Sequence, residues 1–303
     1  MFRNFLKFQR CCRRALNTDV SASPTGVQVL ESLYWKERDM LLWSRLQEEA
    51  MMLIDEPMLG EWFESTILAS SSLHEAISSI VARKMSREMA DTRMRLESLE
   101  YLTSQILAND ERIGADIIAI MSRDPAAMSY LQVVQFFKGF HAVQAQRCAH
   151  AIWKDNDKNT ALALQDRVNE LWQVDIHPAA QLGGGLMCDH ATGLVIGETA
   201  VVGRDCTILH NVTLGGIGHD KGVDRHPKLG DRVTIGAGAT LVGPIRIESD
   251  VVIGSQAVVS INVPTGLVVV GRNSLLNPSR STARKAEVLR RPITWIYETS
   301  SEA

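Results

Sequence analysis

Beyond residue 175 the chain keeps one rhythm. Aliphatic side chains stand at Ile176 and Leu182, with Cys188 in the next slot, then at Ile196, Val202, Ile208 and Leu214, and again at Leu229, Ile235, Leu241, Ile247, Ile253 and Val259. The interval is six, which is neither the alternation of a half-buried strand nor the 3.6-residue turn of a helix. Glycine follows the key position at 183, 197, 203, 215, 230, 236 and 254, where the chain must turn. Such self-similarity predicts a parallel β-helix: each hexad supplies one short strand and one corner, and three hexads close a triangular coil. The phase slips twice. Two extra residues separate Cys188 from Ile196, and a polar, glycine-rich excess at 215–227 is too long for the coil. That excess is expected to be extruded as a loop, the usual place for function on a rigid scaffold.

Upstream the period changes. Val27, Leu30, Leu33, Tyr34, Leu41 and Leu42 recur at helical spacing, as do Leu96, Leu99, Leu102 and Leu107. Ser-Arg-Asp-Pro at 122–125 is predicted to end one helix and cap the next. The segment 138–150 reads as another helix, with His141, Arg147 and His150 as structural or interface residues. The expected class is therefore α+β, an N-terminal α-helical domain followed by a β-helix. The boundaries fall at 1–20 for a basic tail, 21–172 for the helices, 173–265 for the β-helix and 266–303 for a C-terminal tail.

Composition sharpens this division. The chain has 303 residues and 21 glycines, of which four precede residue 180 and seventeen follow it. No Phe, Tyr or Trp occurs between 173 and 294. A sandwich of short strands would need period two and aromatic core residues; a narrow triangular bore has no room for rings. The net charge of -3 provides no general field for nucleic acid. No apolar run approaches the roughly 18 residues that cross a bilayer. Five scattered cysteines read as thiols of a reducing compartment, with Cys188 as a small inward-facing filler. Residues 1–17 carry five positive charges and no acid, with Phe2, Phe5 and Phe8 at helical spacing. A cytoplasmic location is expected, with a mitochondrial targeting segment as the alternative.

The detailed strings carry a resemblance. Val174-Asp-Ile-His-Pro178, Cys188-Asp-His-Ala-Thr-Gly193, Val195-Ile-Gly-Glu-Thr-Ala200, Val212-Thr-Leu-Gly-Gly216 and Asp224-Arg-His-Pro227 together resemble serine O-acetyltransferases. Arg123-Asp-Pro125 and Lys138-Gly-Phe-His141 agree within the helical part. The resemblance implies a left-handed β-helix and acetyl transfer from acetyl-CoA to the hydroxyl of L-serine, giving O-acetyl-L-serine for cysteine synthesis. It implies a homotrimer or dimer of trimers with active sites between neighbouring β-helices, and feedback inhibition by L-cysteine. No tightly bound cofactor and no metal are expected; acetyl-CoA is a co-substrate.

The same resemblance assigns roles. A serine hydroxyl needs a base as it attacks a thioester, and histidine is well matched to that task. His190 matches the catalytic base, and Asp175 the carboxylate that would hold its tautomer. Asp124 and Asp189 match the acidic groups at the serine site, and Arg225 the partner of the serine carboxylate. His226 matches a second substrate-contacting histidine and is one candidate donor to the oxyanion. Gly215, Gly216 and Ala237 match positions where coenzyme A approaches closely. The string 271–274 departs from the family pattern at the coenzyme end of the coil. The chain ends Ser-Ser-Glu-Ala303 where many members end in isoleucine, so a complex with O-acetylserine sulfhydrylase is not expected. Three rival readings stand beside this one: acetyl transfer to homoserine, a sugar or an amine; a non-catalytic β-helix scaffold; and a zinc hydratase of the γ-carbonic anhydrase kind. The last needs histidines five apart, and no two of the eight here are so spaced.

Overall fold

The computed structural model describes residue 30 and residues 33–86, 96–218 and 223–276. The expectations for the basic tail at 1–20 and for the C-terminal end fall outside these residues. Among the described residues the first part is helical: α1 (Trp35–Met52), α2 (Gly60–Phe63) running into a π-helical turn (Glu64–Leu68), α3 (Leu73–Ser86), α4 (Leu96–Leu107), α5 (Arg112–Arg123), α6 (Tyr130–Phe136), α7 (Lys138–Lys154) and α8 (Lys158–Trp172). None of these is long and apolar enough to cross a membrane.

The end of α5 corrects one expectation. Asp124 does not cap the following helix; it is the C-cap of α5, and its Oδ1 accepts the Ala126 N–H at 2.8 Å. Ser129 caps α6 instead, accepting from the Gln132 N–H. The intervening turn places Asp124 where two elements meet.

Helix α7 is buried on almost every side although its sequence is rich in polar residues. The reason is its central position, against other helices on one side and the first β-coil on the other. Its polar groups are met by β-helix carbonyls. Gln146 Nε2 donates to Ala180 O at 3.0 Å, His150 Nδ1 to Pro178 O at 2.7 Å, and Arg147 Nη2 to Gly183 O at 2.8 Å. Arg147 also pairs with Asp116 of α5, and both side chains are 1% exposed. Asp116 Oδ1 in turn accepts the Leu186 N–H at 2.9 Å. A buried ion pair is tolerated when hydrogen bonds meet most of its remaining donors and acceptors; here those partners belong to both domains, and Arg147 Nε is left without one. His141 Nε2 donates to Val134 O at 2.7 Å, and burial pushes its pKa down to about 3. His141, Arg147 and His150 are structural.

Helix α8 ends at Trp172, Gln173 turns in the left-handed region, and β1 begins at Val174. Fifteen short strands follow. β1 (Val174–Ile176), β4 (Leu194–Ile196), β7 (Thr213–Gly215), β10 (Thr240–Val242) and β13 (Val258–Val259) stack into the first face. β2 (Gln181–Leu182), β5 (Val201–Val202), β8 (Lys228–Leu229) and β11 (Arg246–Ile247) form the second. β3 (Met187–Cys188), β6 (Thr207–Ile208), β9 (Thr234–Ile235), β12 (Val252–Ile253), β14 (Val268–Val270) and β15 (Ser274–Leu276) form the third. All pairs are parallel except β14 with β15.

The register displays both phase slips. Ile235 pairs with Ile253 and Leu241 with Val259, the regular eighteen-residue coil. Cys188 pairs with Ile208, a step of twenty, because two residues bulge out at the corner before β4. Val202 pairs with Leu229, a step of twenty-seven, because nine residues are extruded between β7 and β8. Inward positions form aliphatic columns: Ile176, Ile196, Leu214, Leu241 and Val259 are each at most 2% exposed. Cys188 occupies such a slot, and burial raises its thiol pKa to about 12. The β-helix continues past residue 265. β14 adds to β12, and β15 folds back antiparallel through the departing string 271–274. Asn273 fastens that turn to the coil below, its Oδ1 accepting the Ser260 N–H at 2.8 Å.

Candidate active site

Two corners of the β-helix carry the predicted residues. The first is the bulge at 189–193. His190 and Ala191 both take positive φ, 55° and 57°, a region that side chains with a Cβ avoid. The distortion is held both by the helical domain and by the neighbouring coil. Lys138 at the start of α7 donates to Thr192 Oγ1 at 2.5 Å and to Trp172 O at 3.2 Å, and Asn211 N donates to Thr192 O at 2.8 Å. Gly139 lies against the Cys188 carbonyl so closely that a Cβ would overlap it.

The bulge turns His190 outward, 72% exposed, with Nε2 3.8 Å from Asp189 Oδ1. Its ring meets that of His210, one coil above, edge to face at 5.7 Å. Asp124, Asp189, His190, Lys138 and Phe136 share the wall of a cavity of about 340 Å³. Burial raises the Asp189 pKa, and the Asp124 charge raises it further against the opposing pull of His190. A cationic guest would relieve both carboxylates.

The second corner joins the first face to the second. Here the base of the extruded loop is tied to 197–200. His226 is 6% exposed, and its Nδ1 accepts the Thr199 N–H at 3.2 Å and lies 2.9 Å from Thr199 Oγ1. That hydroxyl oxygen accepts from the backbone N–H groups of Arg225 and His226, each at 3.1 Å. Arg225 Nη2 reaches Glu198 Oε2 at 3.4 Å. Lys228 Nζ donates to Thr199 O at 2.6 Å and to His226 O at 2.8 Å, and pairs with Asp224. Burial lowers the His226 pKa, and the neighbouring cations Arg225 and Lys228 lower it further. Gly197 and Gly216 are empty where a Cβ would run into the His226 ring.

The protomer therefore unites Asp124, Asp189 and His190, and separately Arg225 and His226, without joining the two groups. Asp175 stands in β1 opposite Val195, on the face between these corners, and its Oδ1 accepts from Gln165 Nε2 at 2.6 Å. No hydrogen bond or ion pair links it to His190 within the protomer. The local coil is twenty residues long, so a fifteen-residue spacing falls short of stacking the two. Gly216 has an internal reason to lack a side chain, the His226 ring, whereas a Cβ on Gly215 would meet only Val242 and Thr213 at 3.2 and 3.4 Å. Ala237 is half-buried on the corner above His210.

Sequence reasoning passed over Thr199, Glu198, Lys138, Gly139 and His210. The first four lie inside the strings 195–200 and 138–141, so their signal was present as motif membership without a role. No group of three or more His, Cys, Asp or Glu side chains suited to a metal occurs among the described residues.

An exposed histidine beside two carboxylates, on a hexad-built β-helix with a helical domain, marks an acyltransferase of the hexapeptide class. Two family models agree: "Serine acetyltransferase, N-terminal" matches residues 42–145, and "Bacterial transferase hexapeptide (six repeats)" matches 226–260. The chloroplastic serine acetyltransferase 1 of Arabidopsis thaliana is 42% identical over 250 residues, covering 82% of this chain and 79% of the relative. The crystal structure of Neisseria gonorrhoeae serine acetyltransferase in complex with serine is 44% identical with TM-score 0.72, covering 76% of this chain and 95% of that one. A serine acetyltransferase in complex with cysteine is 37% identical with TM-score 0.75, covering 80% of this chain and 95% of that one. The chain belongs to the serine acetyltransferase family.

Proposed function

We propose that this enzyme transfers acetyl from acetyl-CoA to the L-serine hydroxyl with His190 as general base. The observation that carries the reading is the exposed imidazole of His190 beside Asp189 and Asp124 in one cavity. The two carboxylates suit the ammonium of a zwitterionic amino acid, which leaves the hydroxyl for the imidazole. His190 takes the Oγ proton as that oxygen attacks the thioester carbonyl carbon. The carbon–sulfur bond then breaks, and the thiolate of coenzyme A recovers the proton from the imidazolium. Arg225 is the forked cation for the serine carboxylate. Gly215, Gly216 and Ala237 are assigned to the approach of coenzyme A; Gly215, whose place for a Cβ is the less crowded, fits this better than Gly216. A sugar acceptor would use neither the acidic pair nor Arg225. L-cysteine, which shares the zwitterion of serine, is expected to compete with it.

The separation of the two corners supports a site shared between subunits of a trimer. Asp124, Asp189 and His190 would come from one subunit, and Arg225 and His226 from the next, with Asp175 completing its pairing to His190 across the same boundary. The test is complementation. Release of free CoA thiol, dependent on L-serine, is expected to disappear in His190→Ala and to fall sharply in Arg225→Ala. Mixing the two variants by co-expression should restore activity to about a quarter of the sites, as shared sites in a cyclic oligomer require. No recovery in a proven mixed oligomer would place each site within one chain. Serine-dependent thiol release that survives His190→Ala would remove the assigned base. A cytoplasmic location is retained, with organelle import as the alternative that the basic segment 1–17 supports; imaging the full chain beside a variant lacking 1–17 separates them.

A further inference from the structure

Thr199 binds the base of the extruded loop through its backbone N–H and its hydroxyl, and these contacts bear on what His226 can do. The Thr199 backbone N–H points at His226 Nδ1, at 3.2 Å. An amide N–H only donates, so that ring nitrogen is an acceptor and carries no hydrogen. The Thr199 hydroxyl oxygen also accepts the N–H groups of Arg225 and His226 at 3.1 Å each, and its own hydrogen faces two acceptors, Nδ1 at 2.9 Å and the Asp224 carboxylate; the backbone N–H alone is enough to make Nδ1 an acceptor. The neutral ring then carries its proton on Nε2. That atom packs against Gly197 and Gly216, whose missing side chains make room for the ring. Tautomers are normally set in this way, by the bond made at the other nitrogen.

We propose that Thr199 is a positioning residue: it holds His226 as the Nε2–H tautomer, a hydrogen-bond donor to the reacting substrate and not a base, and fixes the backbone of Arg225 with the same hydroxyl. This rests on the acetyl-transfer reading and divides labour between its two histidines. His190 takes the proton, and His226 donates to the carboxylate or oxyanion. Two further observations support a neutral ring. His226 is 6% exposed, and its neighbours Arg225, Lys228 and His177 oppose a charge on the ring, with the carboxylates of Glu198 and Asp224 on the other side of the balance. Lys228 grips the carbonyls of Thr199 and His226, so the clamp closes from both sides.

The experiment uses the full oligomeric enzyme with nitrogen-15 histidine labelling, Thr199→Ser, Thr199→Val, and His226→Asn to assign the signal. The expected wild-type spectrum near neutral pH shows His226 protonated on Nε2 alone, and Thr199→Ser preserves both that spectrum and turnover. Thr199→Val is expected to lower kcat/KM for serine on the order of a hundredfold, the cost of a slightly misplaced group, with kcat and KM both worsened. Its acetyl-CoA affinity and thermal midpoint should move much less. A wild-type His226 protonated on Nδ1, or doubly protonated, overturns the proposal. So does a Thr199→Val enzyme with unchanged kcat/KM, or a Thr199→Ser enzyme as impaired as Thr199→Val. The tautomer is read without turnover, so an enzyme inactive toward serine would defeat the acetyl-transfer reading while leaving this assignment to stand or fall on its spectrum.

Discussion

The two corners that carry the candidate residues depart from the same repeat and are held differently, the first with help from the helical domain and the second by the coil alone. The 189–193 bulge adds two residues, and its strained backbone is held by the coil and by the N-terminal end of α7. The 215–227 loop adds nine, and it is tied down by the coil itself through Thr199 and Lys228. A solenoid satisfies its backbone groups by stacking, so any residue pushed out of the stack needs another partner. The short bulge closes on itself and on the coil, Ala191 N–H donating to Asp189 O, Thr192 N–H to His190 O and Asn211 N–H to Thr192 O, and gains a side-chain contact from α7 at Thr192. A long loop can return to the coil and bind it. The helical domain thus touches the corner that bears His190, at Thr192 and at the Cys188 carbonyl.

Unseating that domain is the strongest way to break the contrast. Asp116→Ala leaves Arg147 buried without its partner and removes the acceptor of the Leu186 N–H. It is expected to cost about 3–5 kcal/mol, read as a fall in the urea midpoint. Thiol release should fail along with the fold, before any direct effect on the second corner. Gly139→Ala strikes the same contact more gently, forcing a methyl group onto the Cys188 carbonyl at a cost of about 1–3 kcal/mol. Serine turnover should fall at temperatures where the far-ultraviolet spectrum is still native, because the displaced backbone leads directly into His190.

The second corner is probed by a pair of glycines. Gly216→Ala meets the His226 ring and is expected to lower kcat for serine about tenfold or more, while Gly215→Ala, with looser neighbours, should act chiefly on the KM for acetyl-CoA. Equal effects of the two on both constants would show that neither residue has a separate role.

The smallest expected effect concerns Asp189. Burial raises its pKa, so its ionised form costs stability that the unfolded chain does not lose. The contribution of the neutral form is complete below the ordinary carboxyl value of 3.8 and is lost as pH rises through the higher folded-state value. Asp189→Asn should therefore gain a few tenths to about 1 kcal/mol near neutral pH, after allowance for solvent screening of a half-exposed group. The gain should shrink in mild acid while serine KM rises at neutral pH. Urea midpoints at the two pH values, set beside serine saturation curves, check both halves.

Much of this architecture was legible in the chain. Leu229 to Val259 hold the six-residue phase without a break, and each departure from it marks a corner that the register later shows as a step of twenty or twenty-seven. The candidate residues were legible through the strings around 175, 190 and 225. The hydrogen-bond partners of those residues were not. Thr199 is an unremarked member of its string, and only folding puts it 27 residues away from its partner yet 2.9 Å from the imidazole. The string 122–125 read as ending one helix and capping the next; it does end α5, but the chain makes an extra turn and Ser129 caps α6.

What the sequence by itself determined is the coil: a period of six, glycines after the key positions and the absence of rings leave little else that could bury those aliphatic residues. Such patterning is local, since each hexad packs against its own neighbours and needs no distant partner. What only the tertiary structure decided is the arrangement of the chemistry. His190 stands outward on a bulge that α7 contacts, the His226 ring meets Thr199, and His190 and Arg225 lie at different corners of the chain. Those outcomes depend on polar contacts between segments far apart in sequence, where hydrogen-bond direction and fit, and not residue type or spacing, select the partner.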